Sequence, residues 1–577
     1  MKLPVMNVLK RKTDGVNRFS GLDMRPKPYD SAFARMKNMT CERLPVMAAR
    51  RPRMRVRTLR HPGGLFAHEK LCWVDGNGFW YDGLYKGSVT EGTKHFVRMG
   101  AYVLIWPDGA YYNTETDEFG SINRANTTKS EVKGALCRLD GGEYEYALSE
   151  TAPENPESGA YWMDTSQEPD VLKMWNANQS MWVSVPTVYT KITSEGIGVG
   201  LKANDAVSMS GFIDNTELNG SYYLVDAADN FVIVTALISE AFSQTEPVTV
   251  ERKAPEMDFV TEAGNRVWGC SNQNHEIYAS ALGDPTNWSR YLGLASDSYA
   301  VTVGTAGDFT GAASHLGNAL FLKPDCVHQM MGTKPADFTL MTNTCRGVAK
   351  GSEKSLVHVN EYLLYKAPLD VCMMGMSTLP ATVSDVLGKE NYNNAIAGAL
   401  GSRYFMSVEN DVGMRELLVF DTASNAWCCE DDVHVTDFAQ LDGELYMLTA
   451  EGEIWSVNGT APESLRDETY EPEEPVTWQL ITGPIGLDEP YSKYISRLQL
   501  HVACELGSAL RVDVAYNEEN SWQEIFRLDP VRTRSLTIPL IPKRCRTMRL
   551  RIWGVGKFEL YSITKTIEQG SDTYADQ

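Results

Sequence analysis

With 577 residues and a mass of 64.2 kDa, the chain is too long for one hydrophobic core, since single cores rarely grow past roughly 250–300 residues; about three or four structural units are expected. Hydrophobic residues at 43% and charged residues at 22% exclude a disordered chain. The balance of 54 basic against 75 acidic residues, −21 in all, excludes a general nucleic-acid binder, because phosphate binding needs clustered Lys and Arg; it suits a soluble protein, or the wall of a DNA conduit where repulsion prevents sticking.

At the start, Met1–Lys10 carries no apolar core of the signal-peptide type, and nowhere does the sequence approach the roughly 20 apolar residues of a membrane helix. The expectation is a chain made in the cytosol without a membrane anchor. Residues 1–60 are basic and poor in apolar periodicity. Arg50, Arg51, Arg53, Arg55, Arg57 and Arg60 crowd the end of this stretch, and Met54 and Val56 alternate with arginines as in a strand. The plain reading is an edge strand with a solvated charged face. The functional reading is an interface formed by Arg50, Arg51, Arg53, Arg55 and Arg57, since Arg binds carboxylates bidentately. The expected partner is an acidic neighbouring subunit, with DNA phosphates as the alternative.

From residue 71 a hairpin unit recurs. Leu71-Cys72-Trp73-Val74 turns at Asp75-Gly76-Asn77-Gly78 into Phe79-Trp80-Tyr81, and Tyr102–Trp106 turns at Pro107-Asp108-Gly109 into Ala110-Tyr111-Tyr112. The Asp-Gly pair supplies the positive φ that a tight hairpin needs. The unit returns at 265–279, 318–327, 361–371, 403–420 and 443–457. Small antiparallel sheets at a spacing of roughly 40–50 residues predict a β-propeller, whose blades bury their faces against each other.

Residues 114–256 break the rhythm. A linker-like stretch, Thr151–Pro156, precedes short strands punctuated by Gly211, Asn219-Gly220 and Asp229-Asn230, which predicts an inserted β-rich domain. A second break is the acidic linker Asp467–Pro475, after which alternating strands from Ile495 to Ile563 predict a C-terminal β-sandwich. The expected organisation is all-β: a basic arm and first propeller strands in 1–60, the propeller in 61–113 and 257–460, the inserted domain in 114–256, and the sandwich in 461–577.

No phosphate loop GxxxxGK[ST], zinc helix HExxH or nucleophile elbow GxSxG occurs. His434 after Glu430-Asp431-Asp432 has the composition of a cation site, but in a blade-to-blade loop it reads as a solvated turn. The 11 cysteines are odd in number and lack CxxC spacing. They are expected as buried thiols, with neither a zinc site nor a disulfide framework. Asp284–Trp288 and Asp421–Trp427 resemble the Asp-box turns of sialidase propellers, with Asp capping its own turn and Trp packing between sheets. That role is structural. No catalytic residue, metal ligand or cofactor is assigned.

Asn265–Cys270, Ile277–Ser280 and Gly283–Trp288, the opening runs Phe19–Leu22, Met36–Met39 and Pro45–Arg50, and Asp421–Trp427 with Asp437-Phe438 and Gly443–Tyr446 together resemble the tail-nozzle or tail-hub β-propeller proteins of short-tailed bacteriophages. These include proteins called packaged-DNA stabilisation proteins. The resemblance covers residues 18–60 and 260–460 best. It implies a virion protein of the tail, made in the host cytoplasm and assembled as a ring of identical subunits, typically six, below the portal and adaptor. DNA would pass through the ring without specific binding, and fibres or spikes would attach outside. The family carries no catalytic residues. Two other readings stand beside it: a receptor- or glycan-binding propeller at the tail tip, and a glycan-degrading enzyme, which would need facing carboxylates in a cleft.

Overall fold

The computed structural model describes residues 11–376, 379–488, 491–505, 507–517, 519–529 and 534–570; Met1–Lys10 lies outside them. The chain is almost all β. Among the described residues there is no α-helix, only short 3-10 turns between strands.

Seven small sheets follow the hairpin repeat. Sheet I holds Pro62–His68, Lys70–Asp75, Gly78–Tyr81 and Leu84–Ser88, and sheet II holds His95–Met99, Tyr102–Trp106, Ala110–Asn113 and Glu118–Ser121. Sheet III holds Phe259–Ala263, Arg266–Ser271, Glu276–Ala279 and Tyr299–Thr302; sheet IV holds Gly311–His315, Asn318–Lys323, Cys326–Met331 and Thr339–Thr344. Sheet V is Val357–Val359, Tyr362–Lys366, Val371–Met374 and Ala381–Thr382, and sheet VI is Tyr392–Leu400, Arg403–Asn410, Arg415–Asp421 and Ala426–Cys429. In each, neighbours in sequence pair antiparallel.

Sheet VII differs. Val435–Leu441, Glu444–Thr449 and Glu453–Ser456 come from one stretch, but the fourth strand is Met54–Thr58, paired antiparallel with Glu453–Ser456, and the two-residue strand Glu471–Pro472 pairs on its outer side. Its first hairpin turns on Asp442 and Gly443, both at positive φ, as a type I′ turn requires. Second strands such as Tyr102–Trp106 are apolar without alternation because both of their faces are covered.

Each sheet shares an apolar cluster with the next. Val74 and Phe79 meet Val103 and Ile105 between sheets I and II. Leu104 meets Val267 between II and III, and Trp268 meets Phe321 between III and IV. Leu322 packs with Leu363 between IV and V, and Leu364 with Tyr404 between V and VI. Phe405 lies with Leu445 between VI and VII. Sheets VII and I share Tyr446, Leu448, Ile454, Leu65 and Trp73.

Residues 124–252 form the insertion. One sheet has eight strands, with Arg124–Thr127 beside Thr249–Arg252 at its edge; a second has four, Tyr146–Ser149, Tyr161–Asp164, Val171–Asn176 and Met181–Ser184. Met163 and Leu172 of the small sheet enter the same core as Val132, Ile192 and Val250 of the large one. The sequence boundary at 114 cuts too early, since Glu118–Ser121 completes sheet II; that strand has four residues with Phe119 as its one apolar side chain, too few for an alternation to be read.

Residues 11–49 are neither an arm nor propeller strands. Arg11–Val16, Met39–Thr40 and Met47–Ala49 join a sheet built on Lys493–Cys504 and Phe558–Gln569, and Gly21–Leu22 and Ala32–Lys37 join one built on Thr477–Thr482, Met548–Val555 and Ala509–Tyr516. The two sheets share Met36, Trp478, Leu500, Val512, Ile552 and Leu560, in a core that continues to Tyr404 and Trp427 of sheet VI. Both chain ends therefore build one unit, which the 461–577 boundary divides. Cys41 and Cys428 correct the expectation of thiols throughout: they form a disulfide across 387 residues, with Cα atoms 5.9 Å apart. Short spacing rules cannot see such a pair; folding the N-terminal segment onto sheet VI creates it. The other nine cysteines are free.

Candidate functional site

The arginine strand lies at the junction of sheet VII, the end of sheet VI and the two-end unit. Arg50 clamps Glu473 bidentately, at 2.6 and 2.7 Å, and its Nε donates to Asn38 Oδ1 at 2.8 Å. Arg53 donates to Asp431 Oδ2 at 2.6 Å and to Glu430, and its backbone N–H donates to Glu473 Oε2 at 2.9 Å. Arg55 reaches Glu453 Oε1 at 2.8 Å and also Glu471. Arg57 stacks its guanidinium 4.2 Å from the Trp73 ring centroid, near Asp467. Arg51 points into solvent.

Arg53, Glu430 and Asp431 are buried. Burial opposes the Arg53 charge, but Asp431, Glu430 and Glu473 more than offset it and hold the guanidinium above its ordinary value. Burial likewise pushes the Asp431 carboxyl up, and Arg53 and Arg50 pull it below the usual carboxylate range. The acidic partners expected in a neighbouring subunit for Arg50, Arg53, Arg55 and Arg57 thus lie in this chain, because the acidic linker and the 430–431 turn fold against the strand. The same pairing removes Glu430 and Asp431 from any cation site with His434. Among the described residues no cluster of three or more His, Cys, Asp or Glu side chains is arranged to hold a metal.

Beside this seam, a groove of about 390 Å³ runs between residues 48–52, the linker prolines Pro472 and Pro475, and Lys557–Glu559. A second cavity, of about 260 Å³, touches Phe66, Phe96, Val260, Ala312, Val357, Ala397 and Phe438, one residue from the first strand of each of the seven sheets. Lys354 and Asp437 pair across its wall at 2.6 Å. Burial raises the Asp437 carboxyl despite Lys354, and burial with the Lys354 charge lowers His95. This cavity had no sequence signal beyond the alternation of the first strands.

Both Asp-box-like turns have the structural role expected of them. Asp284 accepts from the N–H and hydroxyl of Thr286, and Trp288 Nε1 donates to Pro285 O at 2.9 Å. Asp421 accepts from Ser424 N–H and hydroxyl, and Trp427 Nε1 donates to Val383 O at 2.8 Å. On the small sheet of the insertion, Trp182 packs edge-on against Trp162 and Trp175, each at 5.4 Å between centroids, with Trp175 and Trp182 half-exposed.

No protein-family description and no curated protein matches this chain. Similar solved structures do exist. An exo-beta-1,3-galactanase from Phanerochaete chrysosporium, solved with galactose, is 10% identical over 53% of this chain and 94% of its own, with a TM-score of 0.22. PorZ, a surface component of the type-IX secretion system of Porphyromonas gingivalis, is 10% identical over 82% and 70%, at 0.26. Apo AztD from Citrobacter koseri is 11% identical over 68% and 91%, at 0.25.

Proposed function

We propose that this chain is a non-catalytic β platform: a seven-bladed propeller closed by its own N-terminal strand, carrying a β insertion between blades two and three and fastened to a β-sandwich made from both chain ends. The observation that carries this is the seventh junction, where Met54–Thr58 completes sheet VII and sheets VII and I share one apolar cluster. A ring of blades has no open sheet face left to cover.

We further propose that the platform serves in the tail of a short-tailed phage, as a nozzle or hub subunit holding other tail proteins. This rests on the sequence resemblance over residues 18–60 and 260–460. The 260 Å³ central cavity is far too small for duplex DNA, so a conduit would run between subunits, where the acidic balance of the chain keeps phosphates from sticking. A second reading, a receptor- or glycan-binding propeller at the tail tip, is favoured by the half-exposed Trp175 and Trp182, since indole faces stack on sugar rings. Particle mass and negative-stain images of the purified full chain separate the two. The tail-ring reading expects closed rings at a multiple of 64.2 kDa. A lone subunit that binds glycans contradicts it and supports the second reading.

A further inference from the structure

A groove of about 590 Å³ lies where the Ala32–Lys37 strand and the turn before it meet the sheet of Thr477–Thr482 and Met548–Val555. Its lining includes three guanidiniums, Arg25, Arg35 and Arg549, the indole of Trp522, and Pro26, Pro28 and Pro484, with no Asp or Glu. In a chain of net charge −21 the charged residues of this lining are all cationic. Arg25 is neutralised by a bidentate contact with Asp23. Arg35 is exposed and makes no ion pair among the described residues, although its charge is felt by Glu416. Arg549 donates only to neutral acceptors, Glu519 O at 2.8 Å and Asn520 Oδ1 at 3.3 Å, and its buried Nε has no acceptor among the described residues.

The indole is held in place. Arg549 and Arg551 lie 5.4 and 4.9 Å from the Trp522 ring centre, and Arg551 is itself fixed by Asp513 at 2.6 Å. The groove therefore offers a pre-set aromatic face beside two cations that lack carboxylate partners. The geometry points to a binding site for a short acidic saccharide, whose ring stacks on Trp522 and whose carboxylate bridges Arg35 and Arg549. The volume is that of an ordinary small-ligand site. A long polyanion such as single-stranded nucleic acid would leave the groove for a surface of its own sign. A peptide adding as a strand would need backbone donors, and the three prolines supply none. This inference stands apart from the proposed function and holds whether or not the chain forms a ring.

The test is calorimetric titration of the full chain with trigalacturonate. Maltotriose serves as the neutral saccharide, with hexaglutamate, a six-residue oligothymidylate and inorganic phosphate as the other anions. The expected result is binding of trigalacturonate alone, weaker on raising salt from about 50 to about 300 mM, and reduced about tenfold or more in both Arg35→Ala and Trp522→Ala. Arg35 is exposed, so its variant should unfold at the wild-type temperature and report on binding only. No binding of trigalacturonate, or binding unchanged in both variants, overturns the proposal. So does equal or tighter binding of hexaglutamate or the oligonucleotide, which makes the groove a peptide or nucleic-acid site, or of phosphate, which makes it a simple anion site.

Discussion

Arg53 is buried between Glu430 and Asp431, whereas Arg51, two residues earlier, lies in solvent. Removing Arg53 leaves two buried carboxylates without their closest countercharge, a change that typically costs about 3–5 kcal/mol. Removing Arg51 is expected to stay within about 0.5 kcal/mol. Urea unfolding of Arg53→Ala and Arg51→Ala at neutral pH measures both, and similar midpoints for the two variants would show that the seam carries no stability. The sequence makes the arginines conspicuous and also shows the acidic 467–475 stretch, but pairing them requires knowing that residues 377 to 423 positions apart meet. Single-residue chemistry was legible at Asp284 and Asp421, where donor and acceptor lie within three residues of each other. It was not legible at Cys41 and Cys428, whose bond depends on the whole fold.

The hairpins could be read in the sequence because alternation and turn residues are local signals. The outer strands could not: Glu118–Ser121 is only four residues long and half-buried, Thr339–Thr344 is largely solvent-facing, and Met54–Thr58 pairs with a sheet some 400 residues later. The corrected boundary of the insertion has a mechanical consequence. Arg124 and Arg252 are paired neighbours at the edge of the insertion, so residues 124–252 can be replaced by a short Gly/Ser linker without pulling on sheets II and III. The variant should unfold cooperatively. It loses the 3.0 Å Lys202–Asp284 pair and two bonds made at buried positions, from Asn287 to Asn204 O at 2.9 Å and from Arg252 to Ile122 O at 3.3 Å, so its thermal midpoint is expected to fall by roughly what loss of about 1–3 kcal/mol produces. Deleting 114–256 instead removes Glu118–Ser121, uncovers an edge of sheet II and should aggregate. If the 124–252 deletion loses cooperative unfolding, the insertion is part of the seven-sheet core.

At the scale of the whole molecule, the two chain ends are tied together twice. Residues 11–49 build a common unit with 477–569, and Met54–Thr58 completes the last of seven sheets. An open row of sheets, like any linear array, frays from its ends, whereas a closed ring has no ends and opens as one unit. Sheets I and VII would be the ends of the row, and they share Leu65, Trp73, Tyr446 and Leu448. Hydrogen exchange under mild denaturant, read by mass spectrometry on peptides covering the first strand of every sheet and Met54–Thr58, discriminates the two directly. Closure predicts that Pro62–His68, Val435–Leu441 and Met54–Thr58 lose protection at the same denaturant concentration as Gly311–His315 on the far side. Earlier exchange in sheets I and VII, with Met54–Thr58 exchanging like an exposed loop, would contradict a closed propeller.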